Sequence, residues 1–304
     1  MRFLISGNAG FIGSHLQEAL ESEGNHVIGL DNYRWNTRRM DNTVEGDVRD
    51  KDLVERLVKN VDVVCHLAAQ INIDYGNEHT DETININVKG TLNVLDACAK
   101  FKKKMVFASS SEIYGTAQTE SIDESHPLDC QSIYAASKAA GDRLCKAYYD
   151  TYGVSASILR SFNTFGIHQR IDSYGGVIAI FVDRALHNKP PVIYGSGKQE
   201  RDYIWITDAI EGYKLAIRED LEGKPINIAS GKCVSVDDIA ELVIKYTNKS
   251  LKPVYVSPRA GEVMRLRGDI TKARSLGFSP KTDFEKNLYE YVQWRKNRLT
   301  KTLL

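Results

Sequence analysis

The chain has 304 residues, 42% of them hydrophobic and 26% charged, and its forty basic residues balance forty acidic ones. That is the composition of a soluble globular protein, and the neutral balance supplies no long-range field to gather nucleic acid or an anionic membrane. At roughly 100–200 residues per domain, the length admits two domains or one large α/β unit.

Cys65, Cys98, Cys130, Cys145 and Cys233 are scattered, odd in number and without CxxC spacing. They read as free thiols of a reducing compartment, with no clustered ligands for a metal such as zinc. Met1 runs directly into the short apolar stretch Arg2–Ser6, too short for a signal sequence. No later stretch approaches the ~18 uninterrupted apolar residues of a membrane span. The expectation is a cytoplasmic protein with neither a nucleic-acid nor a membrane partner.

In chain order, strands are expected at Phe3–Ser6, His26–Asp31, Asp62–Leu67, Met105–Ser109 and Ser155–Leu159. Helical patterns lie between them at Phe11–Ser22, Asp50–Val58, Thr83–Lys100 and Gln131–Tyr152. Such alternation builds βαβ units around a parallel, doubly wound sheet. Beyond about residue 160 glycine and proline become more frequent, as in Gly175-Gly176, Pro190-Pro191 and Gly195-Ser196-Gly197. Helices are expected there at Gly176–His187, Thr207–Ile217 and Ser235–Thr247. Ser235, Asp237 and Asp238 supply the acceptors that a helix start requires. The chain therefore divides into residues 1–160, a Rossmann-type nucleotide-binding domain that includes the catalytic helix, and residues 161–304. The second part is a smaller mixed α/β region for substrate, interleaved with the first.

Gly7-Asn8-Ala9-Gly10-Phe11-Ile12-Gly13 joins the first strand to the first helix. A tight turn, a close backbone approach to a pyrophosphate and close helix–sheet packing all call for glycine there. The N-terminal N–H groups of the helix then face the phosphates. Asp31, at the end of the second strand, is placed to accept from both adenosine ribose hydroxyls and to repel a 2′-phosphate. The pair predicts NAD, although Arg34, Arg38 and Arg39 follow closely. Asp47 and Val48 fall where a loop reaches the adenine. Leu67, Ala68 and Ala69 follow His66 with small residues beside the cofactor, and His66 itself reads as structural.

Tyr134 and Lys138 stand four residues apart, on one face of a helix. A free phenol has a pKa near ~10. A lysine charge and an oxidised nicotinamide both favour the phenolate, which makes Tyr134 a proton acceptor for a sugar hydroxyl. Lys138 also reaches the nicotinamide ribose. Ser109, Ser110 and Ser111 close the preceding strand, where open α/β sheets bind ligands, and a hydroxyl there can share the substrate proton with Tyr134.

With these motifs in order, the chain resembles the extended short-chain dehydrogenase/reductases of the nucleotide-sugar epimerase/dehydratase family over residues 1 to about 295. Asn87–Thr91, Ser109–Gly115, Arg160–Asn163, Gly195–Tyr203 and Arg259–Asp269 add to the resemblance. It implies a nucleotide-diphosphate sugar as substrate and a homodimer formed through residues 83–100 and 131–152. It places Asn87 near the nicotinamide and the active-site helix, Asn163 on a substrate phosphate, and Arg201 with Arg265 as a clamp on the diphosphate. Two departures stand out: Asn8 where such chains more often carry glycine, and Ile133 where proline usually precedes the tyrosine.

The shared first step is oxidation at C4 to a 4-keto sugar, which acidifies the neighbouring C–H bonds. Glu112 then decides the outcome. The resemblance to 4,6-dehydratases makes it the base at C5, with loss of the C6 hydroxyl. Ser111 stands where many of them carry aspartate. The alternatives are 4-epimerisation, in which Glu112 only bonds the sugar or the loop, and decarboxylation of a uronic acid. A non-catalytic NAD sensor is disfavoured because both Tyr134 and Lys138 are present.

Overall fold

The computed structural model describes residues 1–35, 38–172, 175–258 and 264–302. The first half runs β1 (Arg2–Ser6), α1 (Phe11–Ser22), β2 (His26–Asp31), β3 (Thr43–Glu45), α2 (Lys51–Lys59) and β4 (Val63–His66). It continues through α3 (Ile73–Glu78), α4 (Thr80–Ile84), α5 (Gly90–Phe101), β5 (Lys104–Ser110), α6 (Ile133–Tyr152) and β6 (Ala156–Ser161). The second half runs β7 (Asn163–Phe165), α7 (Val177–Leu186), β8 (Val192–Tyr194), β9 (Glu200–Trp205), α8 (Ile206–Arg218) and β10 (Pro225–Ile228). It ends with β11 (Cys233–Ser235), α9 (Val236–Tyr246), β12 (Val254–Val256), β13 (Arg265–Leu266), α10 (Thr271–Ser275) and α11 (Phe284–Thr302).

Seven strands form one parallel sheet in the order β10-β6-β5-β4-β1-β2-β3. This is the doubly wound Rossmann-type arrangement, with the order reversing beside β1, where such sheets open a crevice. Side chains alternate across the sheet, so each strand feeds two cores. Phe3, Ile5, Cys65 and Val106 pack on one face and Leu4, Val64, Met105 and Phe107 on the other. β10 comes from the second half and pairs with β6, so a division at residue 160 does not separate the sheets. A smaller sheet groups β7, β11 and β13 around β9, and β12 pairs with β8.

The helix expected over Thr83–Lys100 is interrupted. Residues Asn85–Lys89 form a π-helical segment between α4 and α5, a distortion that often marks functional sites. Among the described residues no helix is long and apolar enough to cross a membrane. The five cysteines are free thiols.

Backbone contact closes the crevice floor. Gly7 has φ +77°, and a Cβ there would stand 2.8 Å from the Ala68 nitrogen. A Cβ on Gly13 would stand 2.1 Å from the Gly7 carbonyl oxygen and 2.8 Å from the Asn8 Cα. Beside them His66 is buried between two hydroxyls, with Nδ1 2.6 Å from Ser6 Oγ and Nε2 3.1 Å from Thr91 Oγ1. Thr91 spends its own proton on the Asn87 carbonyl, so Nε2–H donates to Thr91 and Nδ1 accepts from Ser6. Burial, with the Lys138 charge, holds the His66 pKa down at about 3. The imidazole therefore serves as a neutral tether between β4, β1 and α5.

Two outcomes follow from these contacts. Gly13→Ala forces backbone apart and should lower stability by ~1–3 kcal/mol; an unchanged melting temperature would show that the helix can shift freely. The unfolded chain protonates His66 near its ordinary pKa of 6.5 while the folded chain resists until about 3. Its contribution is therefore complete above 6.5 and declines as pH falls, by up to ~1.4 kcal/mol per pH unit. Urea unfolding between pH 7 and 5 should show a shallower decline in His66→Gln than in the native protein.

Candidate active site

The cofactor crevice is built at the carboxyl ends of β1, β2 and β4. Asp31 closes β2, and its carboxylate accepts from the backbone N–H of Ala9 at 3.3 Å and of Tyr33 at 2.8 Å. It therefore faces the glycine turn. Gly10 caps α1 without a side-chain hydrogen bond, which leaves the first N–H groups, on Phe11, Ile12 and Gly13, to meet an anion. A helix start bare of side chains next to a fixed carboxylate fits a dinucleotide.

Asn8 explains its departure from glycine. Its side chain is fully buried, and its amide donates to Gln17 on α1 at 2.9 Å and to Thr43 on β3 at 2.6 Å. Gly29 makes room for it, since a Cβ there would stand 2.0 Å from the Asn8 amide nitrogen. Asn8 thus ties the edge strand β3 to the glycine turn.

The basic residues after Asp31 each have a carboxylate partner: Arg34 pairs with Glu82, Arg38 with Glu18, and Arg39 with Glu45. Asp47 accepts two hydrogen bonds from the Arg49 guanidinium and one from the Asn32 amide. Partial burial opposes its charge, but these bonds outweigh it and hold the pKa at about 2. Val48 is buried against Gly90, and Asn93 holds the Val48 and Arg49 carbonyls.

Leu67, Ala68 and Ala69 run from the end of β4 along the glycine turn, with Leu67 N bonded to Ser6 O at 3.0 Å. Asn87, within the π segment, uses its whole amide. It accepts from Gln70 N at 2.7 Å and donates to Gln70 O and to Ser137 Oγ, each at 2.8 Å. It locks the loop after β4 to α6.

On α6, Ser132 caps the helix, and Tyr134 and Lys138 occupy its first turns. The N–H of Ile133 donates to Asn77 on α3 at 3.4 Å, a contact that proline could not make. β5 ends at Ser110, whose hydroxyl accepts from the Glu112 N–H and caps a short turn over Ser111–Tyr114. Ser111 is buried and Glu112 half-buried in that turn.

Burial dominates the electrostatics. It pushes the Tyr134 phenol up to about 12; a hydrogen bond from Ser110 works against this and the Glu112 charge works with it. Burial lowers Lys138 to about 8. The Lys138 ammonium donates to the Ala108 carbonyl at 2.8 Å. Burial also raises Glu112, with Arg201 pulling the other way. The Glu112 charge thus acts on Tyr134, and the Arg201 guanidinium on Glu112.

Arg201 lies on β9, beside Asn163 on β7, whose amide donates to the Asp202 carbonyl at 3.3 Å. Arg265 aligns with Glu200 on the neighbouring strand and pairs with it at 3.2 Å. Glu200 and Arg201 are adjacent in β9, so their side chains leave opposite faces of the sheet. Arg201 and Arg265 thus start from opposite faces of the small sheet, and their clamp on a diphosphate stays a proposal. Residues 259–263, the start of the Arg259–Asp269 stretch, lie outside the described residues. Sequence reasoning also missed the buried Arg160–Asp142 pair. A charge at each of two otherwise inward-facing positions was the available signal.

Comparisons with known proteins agree with this geometry. The model of the NAD dependent epimerase/dehydratase family matches residues 3–229. A protein of Methanocaldococcus jannaschii named "Putative UDP-glucose 4-epimerase" is 38% identical over 97% of this chain and 98% of its own. The Thermotoga maritima UDP-glucose 4-epimerase solved with UDP-glucose superposes with a TM-score of 0.93 at 29% identity, covering 98% of this chain and all of that one. The Streptomyces venezuelae dTDP-glucose 4,6-dehydratase solved with NAD gives 0.91 at 30% identity, covering 98% of both chains. A dinucleotide crevice, a Tyr–Lys helix and a family match over most of the length lead to one conclusion: the chain belongs to the NAD-dependent nucleotide-sugar epimerase/dehydratase family.

Proposed function

We propose that the chain is a nucleotide-hexose 4,6-dehydratase in which Glu112 is the base at C5. One observation carries this reading: the turn that follows β5 places half-buried Glu112 beside Ser110, whose hydroxyl accepts from the Glu112 N–H, and burial raises the carboxyl's pKa. A pKa raised toward the working pH is what a general base needs.

On this reading Asp31 holds the adenosine ribose, the start of α1 holds the pyrophosphate, and Lys138 holds the nicotinamide ribose. Asp47, Val48, Leu67, Ala68 and Ala69 line the crevice, and Asn87 braces it. Arg201 and Asn163 bind the sugar nucleotide's phosphates. Bound NAD supplies a reversible hydride acceptor. Tyr134, with Ser110 sharing its proton, takes the C4 hydroxyl proton as the carbonyl forms. Glu112 then removes the C5 proton, and the C6 hydroxyl leaves as water with a proton delivered through Ser111. Glu112 returns a proton to C5 once C6 has been reduced by the hydride that the bound cofactor would supply. Net, the sugar loses one water.

A second reading is 4-epimerisation, favoured by the names of the Methanocaldococcus and Thermotoga proteins. It needs no base at C5. We further propose that the chain pairs with a second copy through residues 83–100 and 131–152, so sedimentation should report twice its 34.1 kDa.

Incubation with a panel of nucleotide sugars in D2O separates the reactions. The dehydratase reading expects a 6-deoxy-4-keto product with deuterium at C5; interconversion of C4 isomers without solvent deuterium would replace it with the epimerase. Glu112→Gln should lower elimination by ~10²–10⁴-fold, and full activity in that variant would remove Glu112 as the base. Tyr134→Phe should stop either reaction.

A further inference from the structure

We propose that Arg160 is a positioning residue, which fixes the turn carrying Glu112 in register with the helix carrying Tyr134 and Lys138. The inference rests on the reading of Glu112 as a reacting group.

Arg160 lies near the end of β6, next to β5 in the sheet, and is 1% exposed. A charge so buried needs partners, and it has three. Its Nε and Nη2 donate to the two carboxylate oxygens of Asp142 at 2.9 and 3.0 Å, the paired geometry that favours guanidinium. Its Nη1 donates to the Tyr114 hydroxyl at 2.9 Å and to the Glu124 carbonyl at 3.1 Å. Asp142 sits on α6, four residues after Lys138 and eight after Tyr134, hence on the same face.

These partners bracket the Glu112 turn. Asp142 also accepts from Ser109 Oγ at 3.1 Å, which fixes the residue before Ser110. At the other end Tyr114, the last residue of the turn, is held between Arg160 and Asn227, to whose side-chain oxygen its hydroxyl donates at 2.7 Å. One ion pair thus grips Ser111–Tyr114 at both ends and anchors it to the catalytic helix. Asn227 extends the grip, donating from its side-chain amide to the Ile122 carbonyl at 2.9 Å and from its backbone N–H to Glu124 Oε1 at 2.8 Å.

Stability alone does not account for the arrangement. Well-packed apolar side chains often replace a buried ion pair at no loss of stability. Apolar packing tolerates small slips, whereas a four-way hydrogen-bonded guanidinium admits one arrangement. A slip of ~1 Å at a reacting group can cost roughly 10²-fold in rate. None of these side chains need touch the sugar for that penalty to apply.

The test uses the NAD-loaded protein. Tyr114→Phe removes one hydroxyl and keeps the ring; Arg160→Lys keeps the charge and loses the fork. Each should lower kcat roughly tenfold or more with KM for the nucleotide sugar and NAD content near native. A second readout is independent of turnover. With difluorotyrosine at position 134, 19F NMR follows the phenol's titration at accessible pH, and Glu112→Gln should shift it downward. In the Tyr114→Phe background that shift should shrink by about half or more, the mark of lost coupling. An equal shift in both backgrounds, or none in the native one, overturns the proposal, as does a lowered melting temperature with native kcat. If Glu112→Gln turns over normally while the phenol shift behaves as expected, the assigned base fails and the positioning role stands.

Discussion

Exclusion of water at the carboxyl ends of β4 and β5 is the condition on which the site depends. Tyr134 is pushed up to about 12, Lys138 down to about 8, His66 down to about 3, and Glu112 upward, each with burial as the leading cause. All four are driven toward their neutral forms. The protein alone thus weakens the charged forms of these groups, although Lys138, at about 8, keeps its proton at neutral pH. Charge brought in by bound ligands is screened less around them than at the open surface.

The arginines divide into two kinds by the same logic. Those on the cofactor rim, Arg34, Arg38, Arg39 and Arg49, are partly exposed and pair with Glu82, Glu18, Glu45 and Asp47. Exposed pairs contribute little stability. Arg160 and Asp142, at 1% and 2% side-chain exposure, are of the other kind. Their desolvation is costly, and what they give in return is a single geometry.

The regular part of the molecule was legible because it obeys short-range rules. Phe11–Ser22 and His26–Asp31 fall where periodicity put them, and the glycine turn with Asp31 announced the crevice. The parts that were not legible have physical reasons. β3 has three residues, and β10 opens with proline, which sheets tolerate at an edge; only tertiary pairing makes them strands. α11 is largely polar, and a short stripe of Phe284, Leu288, Tyr291 and Val292 packs it on the core. The π segment at Asn85–Lys89 keeps a helical composition, and its extra residue per turn shows only in how Asn87 reaches both Gln70 and Ser137. Arg265 looked equivalent to Arg201 as an isolated cation, and strand alternation with Glu200 sets it on the other face.

The choice among reactions comes down to the environment of Glu112. On the proposed reading, Arg201 is the group that holds its pKa down, and Arg201 is also the side chain assigned to the diphosphate. A diphosphate that engages that guanidinium cancels its pull on the carboxylate. The glutamate belongs to the first half of the chain and the arginine to the second, so the coupling needs both halves folded together. That β10 lies in the main sheet beside β6 makes this joint folding a property of the architecture.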